Sequence, residues 1–242
     1  MSKIITILVL QVALCHAIAQ DIHKSHTVTR IDESISIDAN WQKPVWQSIE
    51  AISLKNYMGE KPEHFPEVQA KIAYDDKNLY LIWRVDDQYV RAVAEEHQDP
   101  VFRDSCVEFF FIPDNLGGTE YFNLEMNCGG TMLFHHQDFT KQGSINITED
   151  DINQMKVAHS MPRLVQNEIQ ERTTWYLEYS IPFSMLTNYY NMESPESGTV
   201  WRANYYKIAD KSSHPHWLTW SKVDYPTPRF HMPEFFGELV FE

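Results

Sequence analysis

VEFFF at 107–111 and FNLEMN at 122–127 decide how this chain is read. Side chains on a β-strand alternate between its two faces, so Val107, Phe109 and Phe111 share one side. Phe122, Leu124 and Met126 supply a matching side on a partner strand. An antiparallel register that sets these apolar residues opposite one another also sets Glu108 against Glu125, Phe110 against Asn123, and Cys106 against Asn127. The odd-numbered residues of 107–111 are then expected to enter a hydrophobic interior, with the even-numbered ones within reach of solvent. Carboxylates accept hydrogen bonds, amides donate and accept them, and ring faces cover C–H surfaces. A patch of that composition on a rigid sheet suits a ligand rich in hydroxyl groups.

Strand signals continue outward from this pair. Val68, Ala70, Ile72 and Tyr74 alternate with polar residues, DDKN at 75–78 makes a turn, and 79–85 returns as the hairpin partner. Trp175, Leu177, Tyr179 and Ile181 form another alternating run, which Pro182 ends. Residues 201–208, 217–221 and 237–241 supply the last strands. Helices are minor: Asn40 is expected to cap a turn carrying Trp41, Val45 and Trp46, Thr148 with Asp151 to cap a second, and 183–186 to form a third. Many short strands with a few short helical turns predict an all-β fold, an antiparallel β-sandwich of jelly-roll type.

Lys3 precedes the apolar run 4–14 and the small residues Ala17 and Ala19, the pattern of a secretory signal peptide spanning 1–19. Cleavage after Ala19 is favoured over lipid attachment at Cys15, because bulky Leu14 stands where a small residue is expected. A secreted or periplasmic product follows, with residues 20–242 as a single domain that buries about 70% of its unfolded surface. No segment approaches the roughly 20 apolar residues of a membrane helix, so no transmembrane span is expected. Thirty-four acidic against 20 basic residues argue against nucleic acid as a partner. Export permits a disulfide between Cys106 and Cys128. Their opposite parities put them on opposite sides of the sheet, and both are expected reduced.

The sequence resembles the family 9 carbohydrate-binding modules and their exported bacterial relatives over roughly residues 31–241. The landmarks are Trp41, AYDDKNLYLIWRVDD at 73–87, DSCVEFFF at 104–111, TWYLEYSIPFSML at 174–186, ANYYKIAD at 203–210, LTWS at 218–221 and FHMPEFFGEL at 230–239. The resemblance implies a β-sandwich, often holding structural calcium, that binds sugars of the xylan or cellulose class without changing them. It also implies a glycoside hydrolase partner, here a separate chain. Two tryptophans clamp a sugar in the family, and Phe102 and Phe230 stand at the matching positions. The carboxylate that holds sugar hydroxyls corresponds to Glu108, and a polar partner-strand residue to Asn123, with Glu125 and Asn127 completing the expected ligand-binding set. Catalytic residues are not expected.

Like charges directly across a strand pair destabilise a sheet unless a cation or donor intervenes, and Lys207, Arg103, calcium or a sugar hydroxyl are the candidates at Glu108 and Glu125. Asp75, Asp76, Asp86, Asp87, Asp104 and Asp114 offer oxygen ligands for calcium near loops, although no D-x-D-x-D-G loop is present and no metal ligand is assigned. Two further functions compete with sugar binding. One is a glycoside hydrolase using Glu108 and Glu125, whose cross-strand spacing overlaps that of retaining enzymes. The other is haem binding, as in distant relatives of the sandwich, with Met132, Met155, His135, His136 and His231 supplying axial atoms.

Overall fold

The computed structural model describes residues 24–114, 118–138 and 143–242, so the expected signal peptide at 1–19 lies outside the described residues. The strands run in chain order β1 (Ser25–Arg30), β2 (Ile52–Ser53), β3 (Asn56–Tyr57), β4 (Glu67–Tyr74), β5 (Asn78–Asp87), β6 (Val90–Ala92), β7 (Cys106–Ile112) and β8 (Glu120–Asn127). They continue with β9 (Met132–Asp138), β10 (Ile145–Asn146), β11 (Lys156–His159), β12 (Val165–Ile169), β13 (Thr173–Pro182), β14 (Val200–Ile208), β15 (Trp217–Thr219) and β16 (Gly237–Phe241). Three one-turn helices punctuate them: α1 (Pro44–Gln47), α2 (Glu149–Ile152) and α3 (Phe183–Leu186). Among the described residues no helix is long and apolar enough to cross a membrane.

One layer of the sandwich follows the order β10-β9-β8-β7-β14-β16, and the other is β4-β5-β13-β11. Strand β1 stitches them together. Its residues Ser25 to Val28 pair with β16, and Thr29 and Arg30 pair with β4, both in parallel. The sheet is therefore mixed and strongly curled, where alternation alone predicted antiparallel pairing throughout. Parallel neighbours need a long crossover, and here nearly the whole chain lies between β1 and β16, a relation that no local pattern records.

The interior is built from the faces that strand parity assigns. Phe109 and Phe111 stack on one another, Phe111 lies against Phe122 and Trp201, and Trp83 of the opposite layer meets Tyr205. Cys128 belongs to this inner core and Cys106 to the other side of the sheet, and both are free thiols. Of the helical turns, α2 begins as expected, with Thr148 Oγ1 accepting the Asp151 N–H at 3.3 Å. Helix α1 starts later than Asn40, at Pro44 after Lys43. Asn40 instead accepts the Gln42 N–H at 2.9 Å and bends the chain ahead of the helix. Proline, with its preset φ and no N–H to satisfy, makes the better first helical residue.

Two expectations are corrected. The even-numbered side of β7 is not open to solvent: every residue of the strand is buried. A second apolar cluster, containing Val223, Phe230, Met232 and Phe236 from the chain between β15 and β16, folds back over Phe110, Tyr121 and Tyr206. Nor does Lys207 reach the carboxylates. It pairs with Val107 and so points into the sandwich, leaving Tyr206 as the β14 neighbour of Glu108.

Candidate functional site

Strand pairing lays out the outer face of the first layer in rows. Glu108 stands opposite Glu125, Phe110 opposite Asn123 and Cys106 opposite Asn127, the register expected from alternation. On the far side of β7, Ile208 is beside Cys106 and Tyr206 beside Glu108, while β15 adds Trp217 next to Ile208. The covering cluster stops short of one corner of this face. There a cleft of about 310 Å³ is floored by Glu108, Glu125 and Ile208 and walled by Phe102, Trp217 and the 228–231 segment. The floor carboxylates are nearly enclosed by protein, at 2% exposure for Glu108 and 5% for Glu125, yet both line the cleft.

Each wall is held by backbone or buried contacts. Phe102 sits in a 3₁₀ turn, Val101–Arg103, whose carbonyls accept from the N–H groups of Asp210 and Lys211. The Phe230 ring stacks on Tyr206 with centroids 4.1 Å apart, and the Tyr206 hydroxyl donates to the Phe230 carbonyl at 3.1 Å. Half-buried Trp217 adds an indole, and exposed Arg229 stands at the rim. Burial, then the Glu108 carboxylate, pushes the Tyr206 phenol well up, so that it stays a neutral donor. Burial, followed by Glu108 and Glu125, likewise raises the Cys106 thiol far out of the reactive range.

The structure brings Phe102, Glu108, Glu125 and Phe230 together and separates the two asparagines from the cleft lining. Asn123 lies one row behind, its amide donating to Glu125 Oε1 at 3.0 Å and its oxygen accepting from Gln137 at 2.6 Å. Asn127 is wholly buried in the β8–β9 turn, donating to Asp104 and accepting from the N–H groups of Gly129 and Thr131. Ile208, Trp217, Pro228, Arg229 and His231 also line the cleft, and alternation did not mark them as site residues. Trp217 opens a run read as a strand, but its place depends on β15 pairing with β14, and the 228–231 segment has no strand period at all.

The haem candidates are scattered. Met132 and Met155 belong to the inner core and border a separate concavity of about 260 Å³ with His97 and His159, whereas His231 lies on the outer face. Among the described residues no three His, Cys, Asp or Glu side chains gather as a metal set. Four of the six acidic candidates pair within the protein as follows: Asp86 with Arg172, Asp87 with His64 and Lys207, Asp104 with Arg91, and Asp75 with Tyr80 and its own turn.

Comparison with known proteins bears on the family and the fold. Residues 35–241 match the model of carbohydrate-binding family 9. A Bacteroides uniformis protein described as carbohydrate-binding superposes with a TM-score of 0.82 at 30% identity, covering 91% of this chain and all of its own. A family 9 carbohydrate-binding module from Caldicellulosiruptor kristjanssonii, solved with cellotriose, gives a TM-score of 0.59 at 15% identity over 90% of this chain and 94% of its own. The same organism's module solved with glucose gives 0.56 at 15% identity, over 90% and 96%. At that identity the likeness shows the fold. Among curated proteins none matches the sequence.

Proposed function

Because the chain belongs to carbohydrate-binding family 9, we propose that it binds a saccharide without altering it, in the cleft floored by Glu108 and Glu125. The observation that carries the reading is the meeting, in one cleft, of paired carboxylates with Phe102, Trp217 and Phe230. Rings cover the C–H face of a sugar and carboxylates accept its hydroxyl hydrogens. The ligand is of the xylan or cellulose class, and the mature chain, from residue 20, works outside the cytoplasm in support of glycoside hydrolase action. Support for the sugar class comes from the family 9 structures solved with cellotriose and glucose.

Both carboxylates rise from one face of adjacent strands, so they approach a ligand from the same side. A glycosidase needs its acid and its nucleophile or base on either side of the scissile bond. The arrangement favours holding over cutting. Phenylalanine at the two clamp positions offers less area than an indole, and Trp217 supplies the larger ring from a third position.

Calorimetry with glucose, cello-oligosaccharides and xylo-oligosaccharides tests the reading, with dissociation constants expected in the roughly micromolar to millimolar range. Glu108→Gln is expected to lose about 1.5 to 3 kcal/mol, a ten- to hundredfold weakening, because a charged acceptor becomes a neutral one. Unchanged affinity in that variant removes Glu108 from the site. A structural calcium is proposed from the family alone, with no ligand set named among the described residues. Thermal melts in EDTA and in calcium chloride are expected to differ by several degrees, and coincident curves dismiss the ion.

A further inference from the structure

We infer that Glu125 sets, through Asn123 and Gln137, which nitrogen of His231 carries the ring hydrogen, and so makes His231 the neutral donor of the cleft. This rests on the saccharide reading above. An amide nitrogen donates and a carboxyl oxygen accepts, and the Asn123 nitrogen faces Glu125 Oε1 at 3.0 Å. Its oxygen then faces β9, where Gln137 Nε2 donates to it at 2.6 Å. The same Gln137 nitrogen lies 3.1 Å from His231 Nδ1, and the Tyr121 hydroxyl lies 2.8 Å from that atom.

An amide nitrogen does not accept hydrogen bonds, so Nδ1 is the acceptor and a neutral imidazole carries its hydrogen on Nε2. Asn123, Gln137 and Tyr121 are buried, and burial pushes the Tyr121 phenol up, keeping it protonated. The chain of donors thus runs in one direction, outward from the carboxylate on the cleft floor. Asn123 and Gln137 are positioning residues: they act on the ligand through His231, which lines the cleft. The cleft is then a matched set, with acceptors at Glu108 and Glu125 for sugar hydroxyls and an N–H at His231 for a ring or hydroxyl oxygen. A neutral saccharide offers both kinds of group side by side, and an ammonium group directed at His231 is refused.

Long-range proton–nitrogen NMR of the ¹⁵N-labelled protein reads the tautomer without any ligand. The expected result is a single His231 form with the hydrogen on Nε2 and Nδ1 the strongly deshielded nitrogen. In Glu125→Gln, whose amide can turn its own NH₂ toward Asn123 and reverse the chain, the two tautomers are expected to mix. Gln137→Leu, which removes the donor and leaves the carboxylate, is expected to do the same if Glu125→Gln does not fold. With cellotriose as probe, His231→Ala is expected to bind about tenfold more weakly. His231→Gln, which places an amide nitrogen near the position of Nε2, recovers most of that loss.

A hydrogen on Nδ1, or an averaged ring, in the wild type overturns the inference. Full affinity of His231→Ala for cellotriose overturns the donor role and leaves the saccharide reading standing. A wild type that binds neither cellotriose nor xylotriose strikes that reading instead, and the tautomer then decides the relay.

Discussion

Lys207→Met is expected to lower the unfolding free energy by about 3 to 5 kcal/mol, read from urea denaturation followed by tryptophan fluorescence. The Lys207 ammonium is fully buried, 3.3 Å from Asp87 Oδ2, and it joins the two layers of the sandwich, β14 on one side and β5 on the other. It also donates to the Ile208 carbonyl at 3.0 Å and to His216 Nε2 at 2.8 Å. On the far side, Asp87 accepts from His64 Nε2 at 2.7 Å and from the Gln88 N–H at 2.8 Å. Removing the cation leaves a buried carboxylate without its counter-charge, which costs far more than the pair contributes net. The double variant Lys207→Met with Asp87→Asn removes both charges and is expected to recover a substantial part of the loss. If the single variant costs less than about 1 kcal/mol, or the double no less than the sum of the two singles, the pair does not tie the layers together.

The same cluster predicts sensitivity to acid. His216 is buried, its Nδ1–H donating to the His214 carbonyl at 3.0 Å and its Nε2 facing the Lys207 ammonium. Burial first, and Lys207 second, push its pKa down to about 3. In the unfolded chain the imidazole titrates near its ordinary value of about 6.5. Below that value the unfolded state takes up a proton that the folded state does not. The stability contributed by neutral His216 is therefore complete above pH 6.5 and is lost progressively as pH falls toward 3. At 1.36 kcal/mol per unit, the loss over the whole interval is on the order of 5 kcal/mol.

Asp87 extends the acid limb further down. Burial alone would raise its pKa, but Lys207 and His64 hold it below the usual carboxylate range, so its contribution fades only in stronger acid. Urea midpoints between pH 7 and pH 3 measure the slope. His216→Asn is expected to flatten it, with the residue due to His26, His97 and His136, whose pKa values burial also lowers. An unchanged slope in the variant assigns the acid sensitivity elsewhere.

Much of the architecture was legible in short-range alternation. The pairing of β7 with β8, residue against residue, follows from setting Phe109 opposite Leu124 and Phe111 opposite Phe122, and it carries Glu108 to Glu125 without further information. The hairpin of β4 and β5 and the run of β13 up to Pro182 came from the same period. Opposite faces for Cys106 and Cys128 followed as well. Asn123 and Asn127 have the parity expected of them but not the accessibility: the turn at 127–131 and the relay to Gln137 occupy their amides. Lys207 lies in a run whose apolar residues make its parity ambiguous, and only its pairing with Val107 shows that it faces inward.

Alternation is a property of adjacent residues, enforced by the pleat of each strand and the cost of placing an apolar side chain in water. It therefore settles which side chains share a face, and it marked Glu108 and Glu125 as a pair. Which of those faces ends up under cover is settled by segments remote in sequence. The chain between β15 and β16 closes over Phe110 yet leaves a cleft above the carboxylates, β15 brings Trp217 to its edge, and β1 enters between two strands it meets in parallel. Those contacts join residues far apart along the chain, and the free energy that selects them comes from burying surfaces against each other, which no local period encodes.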